Sequence, residues 1–482
     1  MGVPLTPPAA VPAHLRGAYE SALPGAATAV AEALRRASAF EPLPFVGATV
    51  TDPGDLAAAL AKGSPHAGEF TADVAESVRN LALSRAGAAA AWPEVTGNVF
   101  AWAAGLPDPL VFFEQSIVDG HPKHPLKRTR RGMSVEEQLA YAPEHRPKVG
   151  IVWQPLPHGH DGFSWPYRGL PMHPWQHEHL AAAFDLPPAP PERETALPLM
   201  SLRTFALPGR PGVHLKTSID VQMTSAVRRV SHAARHNGPV LSRVLPNRYG
   251  GRGFAVLRER ASLAALGPDG SPSPSLAAVI RQMPGLPAGQ MALPVAALTA
   301  RTPHSRLFLA EAVAMSGLRP GEWWTRLAET LVPEPLKLAG RGVGLEAHGQ
   351  NLLLVLEWGV PVGLLYRDFG GVRVLHGAIG HQLAGDIPTG DPAEVHRTLL
   401  GSLFSVVLTD LAESFTASYE IPGGKLWGAV AAVIDRLDLP APLLTALRAE
   451  TLPVKALTAM RLADDQLDPI WAPVPNPLAA GT

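Results

Sequence analysis

Apolar side chains between residues 24 and 103 recur at helical spacing. The period is clearest in two stretches, 26–40 and 71–90, whose apolar positions include Val30, Leu34, Ala37, Val74, Val78 and Leu81. A stripe of this kind marks the buried face of a helix. We therefore expect a helical N-terminal region over residues 1–110.

Alternation with a period of two begins further along the chain. Residues 213–224 place mostly apolar side chains at odd positions and polar ones at even positions, which predicts a half-buried strand. Residues 197–207 form an earlier apolar segment, and residues 208–212 between the two are rich in Pro and Gly. That turn composition predicts a β-hairpin.

The end of the alternating strand carries a candidate anion site. Thr224 or Ser225 is expected to cap a following helix, and Arg228 then lies on the same side of the first turn as Thr224. A helix N-terminus offers free N–H groups to an anion, and an arginine adds a bidentate donor for carboxylate or phosphate. The alternative is an ordinary capped helix after a solvated strand face.

A second hairpin is predicted from two apolar runs, 352–357 and 362–366. With the turn centred after residue 359, Asn351 faces Asp368 at the open end. Their oxygens are hard ligands suited to a magnesium ion that carries nucleotide phosphates. His348 enters the same end and is a candidate for carboxylate binding or proton transfer. Polar loop residues without a ligand are the alternative.

The positions of Pro, Gly and Asp residues indicate where helices begin and where loops separate regions of the chain. Asp391 is expected to cap a long apolar helix that continues to Phe415, with Pro392 in its first turn. Loops are expected at 183–195 and 267–275. We place three regions along the chain, which are 1–110, 111–265 and 266–482.

Composition narrows the class of protein. The chain has 482 residues, a formal net charge of -1 and no cysteine. Disulfides, thiolate metal sites and a cysteine nucleophile are therefore excluded, and a surface that coats nucleic acid is not expected. Neither a secretory signal nor an uninterrupted apolar run long enough to span a membrane is seen in the sequence. We expect a cytoplasmic enzyme that binds neither nucleic acid nor membranes.

Two histidine-proline clusters complete the candidate chemistry. One contains His121 and His124 within residues 120–125, and the other contains His173 within residues 171–176. Proline fixes its own φ and restrains the preceding residue, so these segments are expected to be stiff loops that hold imidazoles in place. Phosphate binding suits such loops, and transition-metal binding is the alternative.

Together and in this order, the motifs resemble the NRPS-independent siderophore synthetases, the aerobactin-synthetase-like family. The resemblance spans residues 120–478 and rests on short segments at positions 120–125 (GHPKHP), 173–176 (HPWQ), 201–204 (SLRT), Lys216 with Thr224 and Arg228, 346–351 (EAHGQN), 367–371 (RDFGG), Lys455 with 460–462 (MRL), and 476–478 (NPL).

The resemblance implies an α+β fold likened to a hand, with a helical thumb in the N-terminal region, fingers and a palm, and with antiparallel sheets. It also implies ATP, Mg²⁺, a small carboxylic acid such as citrate, an amine, hydroxylamine or alcohol as nucleophile, and a homodimer. The ATP-binding residues implied are His121, His124, Ser201, Arg203, Lys216, Gln350 and Asp368. The catalytic and carboxylate-binding residues implied are Thr224, Arg228 and His348, and the implied metal ligands are Asn351 and Asp368.

Two departures from the family pattern affect these expectations. Arg128 stands where the family commonly has lysine, and a guanidinium keeps the charge without keeping the geometry. The N-terminal helical part is also short for the family, which leaves the nucleophile open. The alternatives are a kinase-like phosphotransferase, suggested by the Asp-Phe-Gly triplet at 368–370, an activating enzyme for another natural product, and a binding protein on a decayed scaffold.

Overall fold

The computed structural model describes residues 9–47, 49–224, 226–249, 253–302, 305–466 and 468–479. The expected N-terminal helices are present and begin earlier than predicted. Ala13–Phe40 packs along Ala67–Ala91, and Pro53–Leu60 lies beside both. Val30 and Val74, from the predicted apolar stripes, are fully buried in a core of their own between these helices.

The largest sheet in the described part of the chain has eight antiparallel strands. In spatial order they are His160–Phe163, Arg258–Leu266, Pro272–Gln282, Val213–Thr217, Thr204–Ala206, Arg193–Pro198, Val149–Gln154 and Leu170–Met172. The hairpin expected across residues 208–212 is confirmed, and Thr204 faces Lys216 in it. The division that we place at residue 265 passes through the next hairpin, whose two strands belong to this same sheet.

The other sheets have fewer strands. A four-stranded sheet has the order Phe254–Val256, Val360–Tyr366, Leu352–Glu357 and Gln290–Pro294. Its first pair is parallel and the others are antiparallel. The remaining small sheets are Arg130–Arg131 with Ile219–Met223 and Ala226–Arg228, Val343–Gly344 with Arg373–Leu375 and Pro388–Thr389, and Thr451–Lys455 with Trp471–Pro475.

The helix expected after Asp391 is confirmed. The Asp391 carboxylate accepts the N–H of Ala393 at 2.9 Å, and the helix runs through Pro392–Leu399, a π-helical segment Leu400–Leu408, and Thr409–Tyr419. By length and hydropathy this helix could span a membrane, but 67% of its most apolar window is buried inside the protein. Its apolar composition is therefore explained by the core that it occupies.

Further helices cover the sheets and complete that main core. They are Val99–Ala103, Pro109–Gln115, Val135–Tyr141, Pro174–Leu180, His232–Tyr249, Phe308–Ser316, Pro320–Leu331, Pro333–Gly340, Gly423–Asp435, Ala441–Arg448 and Leu457–Leu462. The fully buried guanidinium of Arg461 lies 2.7 Å from the Asp73 carboxylate, so a helix near residue 460 is fixed to the N-terminal helices. The fold is thus mixed α and β, with mainly antiparallel sheets, as expected.

Candidate active site

A cavity of about 870 Å³ lies between the large sheet, the four-stranded sheet and the long helix 392–419. Most of the predicted site residues line it. They are His121, Ser201, Arg203, Lys216, Thr224, Arg228, His348, Gln350, Asn351 and Asp368. Residues from widely separated segments therefore meet at one place, as the motifs predicted.

Two half-buried arginines form one wall of the cavity. The Arg203 guanidinium donates to the carbonyl oxygens of Arg228 and Arg229, both at 2.9 Å. Arg228 donates to the Met223 carbonyl at 2.8 Å and to the Thr224 hydroxyl. Within the described residues, neither guanidinium forms an ion pair with a carboxylate. Burial, with the charge of Arg228 adding to it, lowers the pKa of Arg203 to about 9.

The helix predicted to follow Thr224 is wrong, although Thr224 and Arg228 do meet. Ile219–Met223 turns back at Thr224 and pairs with Ala226–Arg228 as a β-hairpin, and the next helix begins only at His232. Thr224 adopts a left-handed φ of 56°, which suits a tight turn and not a helix cap. Ser225, the other candidate cap, lies outside the described residues. The candidate anion site therefore consists of side chains, and no helix N-terminus contributes to it at Thr224.

The alternating strand is also interrupted at Ser218. Residues 213–217 belong to the large sheet and residues 219–223 belong to a small one. The Ser218 hydroxyl donates to the Pro274 carbonyl at 2.6 Å, and its N–H donates to the Ala277 carbonyl at 3.0 Å. Lys216 and Arg228 therefore come from different sheets that diverge at one residue.

Asp368 and its neighbours form the charged floor of the cavity. The Lys216 ammonium lies 2.6 Å from the Asp368 carboxylate, and the Arg281 guanidinium lies 3.0 Å from the same oxygen. Burial alone would raise the pKa of Asp368, but Lys216 and Arg281 together hold it well below its usual value. Burial lowers the pKa of Lys216 to about 8, against the opposing effect of Asp368.

The predicted register of the second hairpin is wrong by one residue. The strands turn through Trp358 and Gly359, which have φ of 51° and 80°, and a bulge after Val355 shifts the pairing. Asn351 consequently faces Arg367, whose N–H donates to the Asn351 carbonyl at 3.0 Å. Asp368 follows with a left-handed φ of 73°. Asn351 and Asp368 still line the same cavity, but not as a cross-strand pair.

Four histidines share one local geometry. In each, Nδ1 accepts the N–H of the residue two positions later, over 3.0–3.3 Å; the pairs are His121 with Lys123, His124 with Leu126, His173 with Trp175, and His348 with Gln350. A neutral imidazole that accepts through Nδ1 carries its proton on Nε2. Burial lowers the pKa of His121 and of His173 to about 3. His121 and His348 thus present Nε2–H donors where they line the cavity.

His348 stands beside a second carboxylate. Its Nε2 lies 4.0 Å from Glu346, and Glu346 also accepts from the Lys455 ammonium at 2.7 Å. Burial lowers the pKa of His348 despite the opposing charge of Glu346. The imidazole is therefore neutral at neutral pH. The Lys455 ammonium also lies 6.0 Å from the centroid of the Trp471 ring, and both residues line the cavity.

Some candidates are not brought to the cavity surface. His124 is buried behind it, at 2% exposure. The second histidine-proline cluster is not a loop: His173 caps the helix Pro174–Leu180 and is fully buried. Arg128 does border the cavity, but its guanidinium donates to the carbonyl oxygens of Val118 and Ile117, so it holds a loop in place.

Sequence reasoning missed Arg281 and Glu259. Both side chains are 3% exposed and lie 3.0 Å apart on adjacent strands. Each stands near one end of its strand beside other polar residues, since Glu259 lies between Arg258 and Arg260 and Gln282 follows Arg281. Charged residues at a strand end are usually exposed, so nothing in the sequence marked these two as a buried pair.

Oxygen donors for a metal ion are available, but not as a ready-made site. Asp368, Glu346 and Asn351 all line the cavity. In the part of the chain that the structure describes, no group of three His, Cys, Asp or Glu side chains is arranged to hold a metal ion. The donor chemistry fits a magnesium ion that takes most of its ligands from nucleotide phosphates and water.

Comparison with protein families gives two matches along the chain. The IucA / IucC family model matches residues 109–164 and 160–300. A second model, described as ferric iron reductase FhuF-like transporter, matches residues 321–469. The first match covers the walls that carry Arg203, Lys216 and Arg228, and the second covers Asp368.

Curated relatives agree with the first match. The chain is 27% identical to staphyloferrin A synthase of Staphylococcus aureus over 60% of this chain and 58% of that protein. It is 25% identical to aerobactin synthase of Escherichia coli over 53% of this chain and 54% of that protein. The chain is thus similar to siderophore synthases over the region that the IucA / IucC family model matches and beyond it. It spans less than two thirds of the length of these relatives.

Solved structures of synthetases share the fold. ATP-bound aerobactin synthetase IucA from Klebsiella pneumoniae superposes with a TM-score of 0.74 and 18% identity, over 89% of this chain and 87% of that one. Petrobactin biosynthesis protein AsbB from Bacillus anthracis gives a TM-score of 0.73 and 17% identity, over 86% and 80%. The family's architecture therefore extends over most of the chain.

Proposed function

We propose that the chain is an ATP-dependent ligase that adenylates a small polycarboxylic acid and condenses it with an amine, hydroxylamine or alcohol in siderophore biosynthesis. The observation that carries the proposal is the pair Arg203 and Arg228, two half-buried guanidinium groups on one cavity wall without a carboxylate partner among the described residues. Uncompensated cations at a cavity surface favour an anionic ligand. Relatives that bear the names of siderophore synthases support the same reaction class.

The two steps of the reaction balance without an enzyme nucleophile. A carboxylate oxygen of the acid attacks the α-phosphorus of ATP, an O–P bond forms, and pyrophosphate leaves. The nitrogen or oxygen of the second substrate then attacks the acyl carbon, AMP leaves, and the nucleophile loses one proton. Catalysis of both steps rests on positioning and charge neutralisation.

The residues are assigned to these steps as follows. Arg203, Lys216 and Ser201 neutralise and orient the phosphates, while Gln350 and Asp368 contact the nucleotide. Arg228 and Thr224 hold the reacting carboxylate. Their side chains contact each other at the cavity wall, so one carboxylate can reach both. His348 and His121 donate from Nε2 to oxygen atoms of the substrates, whereas His124 supports the loop from behind. Mg²⁺, when bound with ATP, would neutralise phosphate charge beside Asp368 and Asn351.

Nucleotide products test the proposal directly. Purified protein is incubated with ATP, magnesium, a panel of citrate-like acids and a panel of diamines, and the nucleotides are separated by chromatography. AMP and pyrophosphate, formed only when an acid is present, are the expected result. ADP as the only nucleotide product would instead indicate a kinase-like phosphotransferase. Homodimerisation remains a prediction from the family resemblance, and a cytoplasmic location remains a prediction from the composition of the sequence.

A further inference from the structure

Glu259 and Arg281 are a buried ion pair, and within the described residues Asp368 is the cavity-lining residue with which the pair forms a further ion pair. The Arg281 guanidinium lies 3.0 Å from Glu259 through Nε and 3.0 Å from Asp368 through a terminal nitrogen. Neither Glu259 nor Arg281 lines the cavity, and each is 3% exposed. Neither residue lies at the cavity surface, so each acts on the site through charged groups that do line it, which are Asp368 by contact and Lys216 and Arg203 by their nearby charges.

The register of the large sheet explains how these groups meet. Glu259 faces Arg281 directly across two adjacent strands, and Lys216 faces Val279, two residues from Arg281. Side chains two residues apart on a strand share a face, so Lys216 and Arg281 project from the same side of the sheet. Asp368 approaches that side from the end of the four-stranded sheet. One carboxylate thus meets two cations that the large sheet supplies.

The four groups together are charge-balanced, with two cations and two carboxylates. This balance matters for Lys216, which our proposed function assigns to nucleotide phosphates. If Lys216 moves from Asp368 to a phosphate, Asp368 loses one of its two cationic partners. Arg281 remains, and Glu259 keeps the Arg281 guanidinium from following the incoming phosphates because it accepts from the Arg281 Nε–H at 3.0 Å.

We propose that Glu259 and Arg281 are positioning residues that hold the Asp368 carboxylate in place while Lys216 exchanges it for nucleotide phosphate. This inference rests on the proposed function, since it requires the cavity to bind ATP. Glu259 supplies the fixed end of the arrangement and Arg281 bridges the two carboxylates. A lysine at position 281 keeps the charge but not the bridge, because an ammonium is a point donor and a guanidinium has a planar fork.

The test compares Glu259→Gln with Asp73→Asn. Asp73 is an equally buried carboxylate, at 1% exposure, that also pairs with a buried arginine, Arg461, away from the cavity. ATP binding is measured by calorimetry, acid-dependent exchange of pyrophosphate into ATP gives KM and kcat, and a melting curve is recorded for each variant. We expect both variants to melt at lower temperature. Only Glu259→Gln should weaken ATP binding and raise the KM for ATP, by about tenfold, with a smaller change in kcat.

Equal ATP affinity in Glu259→Gln, Asp73→Asn and the unchanged protein would overturn the inference and leave the proposed function standing. Absence of ATP binding by the unchanged protein would overturn the proposed function itself. Arg281→Lys provides a second variant if Glu259→Gln does not fold. It should raise the KM for ATP in the same way, and an unchanged KM would also count against the inference.

Discussion

The Lys216 ammonium and the Asp368 carboxylate lie 2.6 Å apart, although 152 residues separate them in the sequence. They come from different sheets, and each is assigned to nucleotide binding by the proposed function. In that proposal, a cation for phosphate and a carboxylate for a metal ion lie side by side in the same cavity. Binding of a nucleotide must therefore compete with an ion pair that is already formed.

Asp368→Asn removes the anion between Lys216 and Arg281. Both cations are less than a tenth exposed, so they are left without their shared partner. We expect a loss of about 2–4 kcal/mol in the free energy of unfolding, because unpaired buried charges are costly, together with weaker ATP binding. Chemical denaturation at pH 7 and calorimetry measure the two effects.

The pH dependence of that loss gives a control. The folded-state pKa of Asp368 is held well below the usual aspartate value, so its contribution to stability is present above about pH 4 and is lost as pH falls further. The difference between the unchanged protein and Asp368→Asn should therefore shrink below about pH 4. A difference that stays constant down to pH 2 would contradict the ion-pair explanation.

Arg228→Ala removes the guanidinium that contacts Thr224 at the cavity wall. Loss of a charge-assisted contact to substrate costs about 2–4 kcal/mol, which corresponds to roughly 30- to 1,000-fold in rate. Acid-dependent pyrophosphate exchange should fall by that factor while the melting temperature changes little. Arg326→Ala, at a solvent-exposed position of the helix Pro320–Leu331, is the control. Near-normal exchange in folded Arg228→Ala would remove Arg228 from the site.

Burial of His173 predicts that the free energy of unfolding falls measurably in acid. Its pKa in the folded protein is about 3 because of burial, whereas an unfolded histidine titrates near 6.5. Between those values the unfolded chain binds the extra proton, so stability falls as pH decreases, by up to about 1.4 kcal/mol per pH unit for this group. His173→Asn, which can still accept the Trp175 N–H, should make the decline shallower by about that amount.

The control for this experiment is His158→Asn, a change at an exposed histidine. It should leave the slope of unfolding free energy against pH unchanged, since this side chain is exposed to solvent in the folded protein. Equal slopes in the unchanged protein and in His173→Asn, measured from pH 6.5 to 4, would show that burial of His173 does not govern the decline.

Local signals in the sequence were reliable where the structure is decided locally. The apolar stripe through Val30 and the cap at Asp391 predicted helices that are present, because helical periodicity and capping depend on neighbouring residues. Features that depend on the pairing of two strands could not be predicted from the sequence. The turn at Thr224 depends on pairing with a partner strand, and the bulge after Val355 changed the register of the second hairpin.

The site residues show the same contrast between features set by local sequence and features set by distant contacts. Lys216, Arg228 and Asp368 were found because they lie in recognisable motifs, and the structure places all three around one cavity. Arg281 was missed because its importance comes from a contact with Asp368, 87 positions later in the chain, which only the packing of two sheets creates. A sequence shows directly which residues are charged, but it shows much less well which of them are buried.

The histidine turns have a consequence for how the site can be altered. In His121 one ring nitrogen shapes the loop by accepting the Lys123 N–H, and the proposed function assigns the other to the substrate. Asparagine reproduces the acceptor but has no second group at the position of Nε2. His121→Asn should thus preserve the melting temperature and lower acid activation, whereas His121→Ala should lower both. Nδ1 of His121 thus has a structural role and Nε2 the proposed chemical role, and an amide side chain can replace only the structural one.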